Sequence, residues 1–411
     1  MSLIEYGQKG VYFVKYNKKT VRDVEVAGKK VLLRCDFNVP HDEKTGKILD
    51  DTRISASLPT IQYLLENGAA VILCSHFGRP KGVWKPEFSL SIAGEHLATL
   101  LGRPVPLTRD VVGEDTKARA AALRPGELLL IENLRFRPEE EKNDPEFSKE
   151  LASLADLFVF DAFGASHRAH ASTAGVTKLL PSVAGFLVER ELEVMGNALE
   201  NPRRPLVAIL GGSKVSDKIG VIRNLLDIAD TIIIGGGMSY TFQAARGGQV
   251  GSSLLEADRL DFAREMMDLA EKKGVCFLLP VDDMAASEFS PSAEPIPVDS
   301  LAIPEGLMGL DIGPKTIDLF CQALADAGTI IWNGPMGVFE FPAFSKGTFA
   351  IAKTMAESTA ITIIGGGDSA SAVEHMGFAD TITHISTGGG ASLEFLEGLA
   401  LPGIVCLLDR E

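Results

Sequence analysis

The chain has 411 residues, and at about 100–200 residues per domain this length predicts two domains of about 200 residues each. Apolar residues make up 45% of the chain and charged residues 23%, which excludes wholesale disorder, and the 41 glycines follow no G-X-Y period, which excludes collagen. The net charge of −15 argues against a general nucleic-acid binder, because such a protein needs a basic field.

The first half alternates short apolar runs with helical patterns. This rhythm is typical of a parallel sheet that is covered by helices on both faces. Strands are predicted at 29–37, 69–80, 126–136 and 157–164, and helices at 54–68, 90–102 and 148–156.

A longer helical pattern, 182–205, follows near the midpoint and ends at a Pro-Arg-Arg-Pro breaker, so we interpret it as an interdomain connector. The strand–helix rhythm then restarts. Strands are predicted at 205–214, 229–238, 274–282, 329–337 and 360–368, and helices at 217–229 and 259–274.

Charge is distributed unevenly between these halves. Residues 1–190 contain 26 Lys and Arg against 25 Asp and Glu, whereas residues 191–411 contain 14 against 30. The first half keeps its cations on an acidic protein, which is compatible with an anion site there. An acidic solvated surface on the second half explains the same counts equally well.

The five cysteines form no C-x-x-C pair, which favours a reducing compartment over a disulfide framework or a zinc knuckle. No apolar run reaches the roughly 18 residues of a membrane-spanning helix, and residues 1–19 lack the apolar stretch of a secretory signal. We therefore expect a cytoplasmic protein with no membrane or nucleic-acid partner.

Polar and cationic residues follow the predicted strands of the first half. Arg offers a planar fork that suits carboxylate and phosphate oxygens, so arginines from four segments could converge on a small, multiply charged anion. For any single arginine, pairing with a local carboxylate is the simpler interpretation. A zinc site at His167 and His170 is disfavoured because no Cys or carboxylate stands at ligand spacing. The candidate residues are Asp36, Asn38, Arg53, His76, Arg79, Arg135, Arg168 and His170.

Glycine clusters end several strands of the second half, at 211–212, 235–237 and 365–367, and ligands bind at such strand ends in open α/β sheets. Lys214 and Lys218 follow the first cluster at a helix start, where free backbone N–H groups would favour phosphate. Asp368 could hold Mg²⁺ that bridges phosphates, or it could only cap a helix. No Walker A loop is present.

A polyphosphate site in one half and a small-anion site in the other together indicate phosphoryl transfer. Such transfer needs positioning and cations, and a carboxylate acceptor needs no general base because it is already ionised at pH 7. A non-catalytic anion-binding protein and a dinucleotide-dependent oxidoreductase remain alternatives. The oxidoreductase is disfavoured because G-x-G-x-x-G with an acidic residue about 20 positions later is absent.

Nine segments occur in the order and spacing of the phosphoglycerate kinase family, which the chain resembles from about residue 20 to its end. They are RCDFNVP, SHFGRP, LLLIENLRF, DAFGASHRAHAST, LGGSKVSDKI, IIIGGGM, WNGPMGVFE, IIGGGDS and STGGGASLE. Cys35 stands where the family usually has Val, and residues 1–19 extend beyond the usual start.

The resemblance implies two Rossmann-like three-layer α/β/α domains with mainly parallel sheets, joined by a hinge helix. It implies the reversible reaction of 1,3-bisphosphoglycerate and ADP to 3-phosphoglycerate and ATP, with Mg²⁺, in a monomer that closes by hinge bending. The expected parts are a triose-binding domain at 1–187, a hinge helix at 188–204, a nucleotide-binding domain at 205–395 and a segment at 396–411 that returns to the first domain.

The resemblance also implies residue roles. The polar and cationic candidates of the first half, except His170, match the triose-binding patch, and Arg53 and Lys214 match the residues at the transferring group. Nucleotide contacts are implied for Lys218, Gly235, Gly236, Gly309, Glu340, Gly366, Gly367, Asp368 and Ser369, with the metal at Asp368 and a glycine nest at 388–390 near the migrating group.

Overall fold

The structure is a computed structural model that describes residues 4–6, 12–14, 16–42 and 44–410. Nine residues of the predicted extension 1–19, namely 1–3, 7–11 and 15, therefore lie outside the described residues. Two short strands, β1 (Ile4–Tyr6) and β2 (Tyr12–Val14), pair with each other. The chain from residue 16 divides into two compact units, residues 16–193 with 400–410, and residues 194–399.

The first unit is built on a five-stranded parallel sheet in the order β5-β4-β3-β6-β7. Its strands are β3 (Lys30–Cys35), β4 (Ala70–Cys74), β5 (Leu128–Leu130), β6 (Leu157–Asp161) and β7 (Ser182–Ala184). Its helices are α1 (Thr52–Glu66), α2 (Ser91–Leu101), α3 (Glu114–Ala122) and α4 (Pro145–Ala152), followed by α5 (Phe186–Glu200), which runs on into the second unit. Strands β4, β5, β6 and β7 are buried along their whole length, which explains their continuously apolar sequence.

Two predicted elements of the first unit differ from the observed ones. The helix predicted at 148–156 is α4, which begins at Pro145 because the Asp144 carboxylate accepts the N–H groups of Glu146 and Phe147 at 3.0 and 2.9 Å. The helix predicted over 182–205 is wrong at both ends, since residues 182–184 form β7 and α5 stops at Glu200. Residues 182–184 pair with β6 and are fully buried, so tertiary pairing overrides the helical pattern.

The second unit is built on a six-stranded parallel sheet in the order β11-β9-β8-β16-β17-β18. Its strands are β8 (Leu206–Leu210), β9 (Thr231–Ile234), β11 (Cys276–Leu278), β16 (Thr329–Asn333), β17 (Ile361–Gly365) and β18 (His384–Ile385). Its helices are α6 (Ile219–Ile228), α7 (Ser239–Ala245), α8 (Leu260–Lys273), α9 (Pro314–Ala325), α10 (Lys346–Glu357), α11 (Gly367–His375) and α12 (Gly390–Leu396). The predicted α/β class with mainly parallel sheets is confirmed.

An antiparallel sheet, β13-β12-β15, was not predicted. Its strands are β12 (Asp282–Ala286), β13 (Ile296–Asp299) and β15 (Met308–Ile312), and the short strands β10 (Gln249–Val250) and β14 (Ala302–Ile303) pair in parallel. Strand β13 is largely exposed and carries Pro297, so its sequence lacks the apolar alternation of a strand.

The last residues of the chain belong to the first unit. Helix α13 (Pro402–Val405) places the Gly403 N–H 2.8 Å from the Ser166 carbonyl oxygen. The buried Lys18 ammonium lies 2.7 Å from an Asp409 carboxylate oxygen and donates to the carbonyls of Val405 and Leu407.

Candidate active site

The candidate residues of the first unit lie where the parallel strands end. Asp36 and Asn38 follow β3, His76 and Arg79 follow β4, and Arg135 lies in a 3-10 turn (Leu134–Phe136) after β5. Because parallel strands present their carboxyl ends at one edge of a sheet, the fold gathers these loops.

Arg53, in the first turn of α1, is held by its neighbours. Its Nη1 donates to an Asp36 carboxylate oxygen at 3.2 Å and to the Asn38 carbonyl at 3.0 Å. The Asn38 side-chain oxygen in turn accepts the Gly78 N–H at 2.8 Å. The Arg53 side chain is still 34% exposed. The guanidinium is therefore oriented by the protein and accessible to a ligand.

His76 is buried among cations. Its Nδ1 lies 3.1 Å from Nη2 of Arg34 and 4.0 Å from an Asp36 carboxylate oxygen. Burial holds the pKa of His76 well below its usual range, and the charges of Arg34, Arg135, Arg168 and Arg53 lower it further. The imidazole is thus neutral at pH 7. Since Arg34 can only donate, the Nδ1 of His76 accepts and Nε2 carries the proton.

Arg34 was missed by the sequence analysis. It is 1% exposed, and its Nε donates to the Ser172 hydroxyl at 3.0 Å, while that hydroxyl lies 2.6 Å from the Glu140 carboxylate. The available signal was a single cation inside the apolar run of β3, because a buried charge needs partners and such partners cluster at sites.

The other arginines differ in how firmly they are held. Arg135 is buried, its Nη1 donates to the Gly78 carbonyl at 2.8 Å, and its Nε lies 3.3 Å from Glu141 without the angle of a hydrogen bond. Nε of Arg168 donates to the His167 ring at 3.1 Å. Arg79 is exposed, and no hydrogen bond or ion pair of its side chain is found among the described residues.

The glycine clusters of the second unit also end neighbouring strands. Clusters 211–212, 235–237 and 365–367 follow β8, β9 and the end of β17, all in one sheet, as predicted. The loops are tied through their backbones, with the Gly212 N–H 2.9 Å from the Pro335 carbonyl and the Gly236 N–H 3.1 Å from that of Met336. At Gly236, φ is +65°, and a Cβ would lie 2.6 Å from the Gly212 nitrogen. Only glycine fits this position.

The two lysines of the second unit have different surroundings. Lys214 is exposed, whereas Lys218 is buried and donates to the Asn333 side-chain oxygen. Burial lowers the pKa of Lys218 to about 8, although the charges of Asp217 and Asp368 oppose the shift. The amide nitrogen Nδ2 of Asn333 is buried without a hydrogen-bond partner in the described part of the chain. Asn333 was also missed, and its only signal was a polar residue ending the apolar strand β16.

Four of the predicted residues follow β17, with Gly366 in the short loop before α11 and the other three in its first turn. Gly366 has φ +90°, and a Cβ there would lie 3.0 Å from Nδ2 of Asn333, so the orphaned amide faces this loop. Asp368 is exposed in the first turn of α11. Ser369 is buried, and its hydroxyl accepts the Gly334 N–H at 2.6 Å. No group of three or more metal-ligating side chains is found among the described residues.

The prediction of free backbone N–H groups at the Lys214–Lys218 helix start is wrong for two residues. The N–H groups of Val215 and Ser216 donate to one carboxylate oxygen of Glu256, at 2.5 and 3.1 Å. This carboxylate is supplied from about 40 residues away along the chain, so no local pattern could have indicated it.

The remaining predicted residues of the second unit lie in strand β15, on the turn after β9, after β16 and at the start of α12. The Gly309 N–H donates to the Ser253 hydroxyl at 2.9 Å, and a Cβ on Gly309 would lie 2.1 Å from the Tyr240 hydroxyl oxygen. Gly235 packs against Met336, whose Sδ would lie 2.4 Å from a Cβ. Glu340 is exposed after β16, and residues 388–390 lead into α12.

The fold and the two sites define a class of protein. Two parallel α/β sheets carry, at their carboxyl ends, a group of fixed cations in one unit and glycine loops with a buried lysine in the other. This is a set of groups suited to phosphoryl transfer between small molecules. Within the described residues, none of the helices is both long enough and apolar enough to span a membrane.

Comparison with known proteins agrees with this class. The family model described as phosphoglycerate kinase matches residues 21–399. The chain is 60% identical over 399 residues to the phosphoglycerate kinase of Clostridium botulinum (strain Alaska E43 / Type E3), covering 96% of this chain and 100% of that protein. It is 58% identical over 401 residues to that of Clostridium tetani (strain Massachusetts / E88), covering 97% and 100%. The structure of phosphoglycerate kinase from Coxiella burnetii superimposes with a TM-score of 0.87 at 43% identity, covering 95% of this chain and 98% of that one.

The chain belongs to the phosphoglycerate kinase family. It is a phosphotransferase with a carboxyl group as acceptor, and it catalyses the reversible glycolytic phosphoryl transfer between 1,3-bisphosphoglycerate and ADP. The family resemblance, the fold class and the reaction inferred from the sequence are thus confirmed.

Proposed function

We propose that the first unit binds the triose and the second unit binds the magnesium–nucleotide complex. The observation that carries this division is the convergence of four arginine charges on neutral His76 in one unit, against glycine loops around Lys218 in the other. A triose with phosphate and carboxylate groups requires cationic forks, whereas a polyphosphate chain can be approached by backbone where side chains are absent.

In the triose site, Arg53, Arg135 and Arg168 supply positive charge, and Asp36 with Asn38 orients Arg53. His76 donates from Nε2 while it remains neutral. Arg79 is exposed and is assigned to the patch by family resemblance. We add Arg34 to the patch, because it fixes the His76 ring through Nδ1.

In the nucleotide site, we assign Gly235, Gly236 and Gly309 to the base and Glu340 to the ribose. Lys218 and residues 366–367 contact the phosphates, and Ser369 holds their loop. We add Asn333, whose buried amide faces that loop without a partner.

The residues present also fit Mg²⁺. A magnesium ion that accompanies a nucleotide needs only one or two carboxylates beside phosphates and water. Asp368 is exposed beside the glycine loop, and its charge acts on Lys218. Asp368 would hold the ion, which when bound neutralises charge on the phosphates.

For the transfer itself, Arg53 and Lys214 are assigned to the developing charge on the transferring group, in line between acceptor and donor oxygens. No general base is required, since the acceptor carboxylate is already ionised. We propose that a movement around residues 188–204 accompanies binding of both substrates. Solution scattering tests this movement: the radius of gyration falls when both substrates are added, and an unchanged value contradicts it.

A coupled assay with 3-phosphoglycerate and Mg-ATP tests the assignment of substrates. We expect turnover that depends on both, and calorimetry that detects each ligand separately. Triose binding without any nucleotide binding would instead indicate an anion-binding protein. We further propose a cytoplasmic monomer, for which light scattering should give 43.9 kDa.

A further inference from the structure

One short segment of the second unit contacts several parts of the proposed nucleotide site. Residues 253–256 lie between β10 and α8, and the sequence analysis gave them no role. Ser253 contacts strand β15, whereas Leu254 and Glu256 contact two different loops. Each of these three elements carries a residue assigned above to the nucleotide or to the transferring group.

The first contact fixes the lysine loop. Glu256 accepts the N–H groups of Val215 and Ser216, the two residues directly after Lys214. Hydrogen bonds to a charged carboxylate are roughly twice as strong as neutral ones. Burial raises the pKa of Glu256, but hydrogen bonds from the Ser216 side chain and from the N–H groups of Ser216 and Val215 hold that pKa below its usual range. Val215 is fully buried. The backbone that carries the exposed Lys214 side chain is therefore anchored on its C-terminal side.

The second and third contacts reach the proposed base site. A Cβ on Gly237 would lie 2.9 Å from Cδ1 of Leu254, so this leucine packs directly on the glycine turn after β9. The Ser253 hydroxyl accepts the Gly309 N–H at 2.9 Å. At this point β15 shifts register against β12, and the Gly309 N–H takes a side-chain acceptor.

The segment is itself held in place. The Glu256 N–H donates to the Thr241 hydroxyl of α7 at 3.2 Å, and the Glu256 carbonyl accepts the Arg259 N–H at 2.9 Å. The Ser253 N–H donates to the Val250 carbonyl at 3.0 Å. Backbone bonds at both ends make the segment a fixed support for the loops that it contacts.

We propose that residues 253–256 are a positioning segment of the nucleotide site, in which Glu256 sets the position of Lys214 and Ser253 sets that of Gly309. This inference rests on the proposed function of those two residues. It has a further consequence for recognition. Glu256 already occupies the N–H groups of Val215 and Ser216, so the nucleotide phosphates are left to Lys218, Asn333 and the loop at 366–367.

The main test uses the variants Glu256→Ala and Glu256→Gln in the full chain. A displacement of about 1 Å at a reacting group can lower the rate about 100-fold, so we expect Glu256→Ala to lower kcat by about 10- to 100-fold and to weaken ADP binding. The KM for 3-phosphoglycerate should stay unchanged. Glu256→Gln keeps one oxygen acceptor and should recover most of the loss. Hydrogen exchange at Val215 and Ser216 should be faster in the alanine variant only.

The matched control is Glu265→Ala, which removes an exposed glutamate of α8 that pairs with Arg223. Ser253→Ala should raise the KM for ATP about fivefold, as expected for one lost hydrogen bond of ordinary strength. If Glu256→Ala does not fold, Glu256→Gln and Ser253→Ala still carry the test through calorimetry of ADP binding.

Equal kcat, ADP affinity and exchange rates in Glu256→Ala and Glu265→Ala would overturn the inference. An equal rise in the KM for both substrates in Glu256→Ala would overturn it as well. A different result would contradict the proposed function, namely the absence of ADP binding to the wild-type chain in calorimetry. If the wild-type chain binds ADP and the Glu256 and Ser253 variants behave like it, only the positioning role is contradicted.

Discussion

The two strand-end regions that we propose bind phosphate groups are built in opposite ways. In the first unit, Arg34, Arg53 and Arg135 are fixed by hydrogen bonds to protein oxygen or nitrogen atoms around a neutral histidine. In the second unit, backbone hydrogen bonds connect the glycine loops at the carboxyl ends of the strands, and the lysine buried beside them is Lys218. A site of fixed cations attracts an anion through its charge, whereas a glycine edge presents little charge and depends on its shape.

The largest expected effect comes from one residue in each site. Arg53→Ala and Lys214→Ala should each lower kcat about 100-fold, about 3 kcal/mol of barrier, because each removes a cation from the transferring group. Folding should be intact, as measured by circular dichroism and thermal unfolding. Near wild-type turnover in both purified variants would contradict the proposed mechanism.

A glycine substitution tests whether the second site depends on its shape. Gly236→Ala should cost about 2–3 kcal/mol of stability and abolish tight ADP binding, because its Cβ would meet backbone atoms of Gly212 and Pro335. The control is Gly377→Ala, with a similar φ of +77° and no atom within 4 Å. It should cost only about 1 kcal/mol and leave ADP binding intact. Equal losses in both variants would show that backbone strain, not close approach, explains the glycine.

Both units contain a buried acid whose protonation can be compared. Burial raises the pKa of Asp161 in the first unit, and of Asp283 in the second, to about 7. Unfolded aspartate titrates near pH 4. Between about pH 4 and 7 the folded chain therefore keeps a proton that the unfolded chain has lost. The free energy of unfolding of the wild-type chain consequently falls as the pH rises through this range.

The variants Asp161→Asn and Asp283→Asn each remove the ionisable group and with it this pH-dependent loss of stability. The stability of each variant relative to wild type should increase by about 1.4 kcal/mol per pH unit between about pH 4 and 7, and should level off above pH 7. Urea unfolding at pH 4.5, 5.5, 6.5 and 8 measures this difference. A difference that does not change with pH would mean that the acid is ionised in the folded chain.

The smallest expected effect on stability belongs to Arg79. Because its side chain is exposed and makes no described contact, Arg79→Ala should change the free energy of unfolding by less than about 0.5 kcal/mol. The KM for 3-phosphoglycerate should still rise if the triose engages Arg79. Arg135→Ala should lower both stability and affinity, since Arg135 is buried and bonded to Gly78. An unchanged KM in Arg79→Ala would remove Arg79 from the triose site.

Local patterns predicted most of the parallel sheets. Strands such as β4 and β8 are short, buried and continuously apolar, and glycine clusters ended β8, β9 and β17 as expected. Residues 182–184 were predicted as helix because their identity as a strand depends on pairing with β6. Strand β13 was missed because its exposed residues follow no apolar pattern.

The sequence by itself determined where the proposed site residues lie relative to the strands, because charge type, glycine and the end of an apolar run are properties of neighbouring residues. Only the tertiary structure decided how those groups are held. Arg34 orients His76 from 42 positions away, and Glu256 holds the residues after Lys214 from about 40 positions away. Such contacts form between residues that are distant in sequence, and they exist only after the strands and helices have packed.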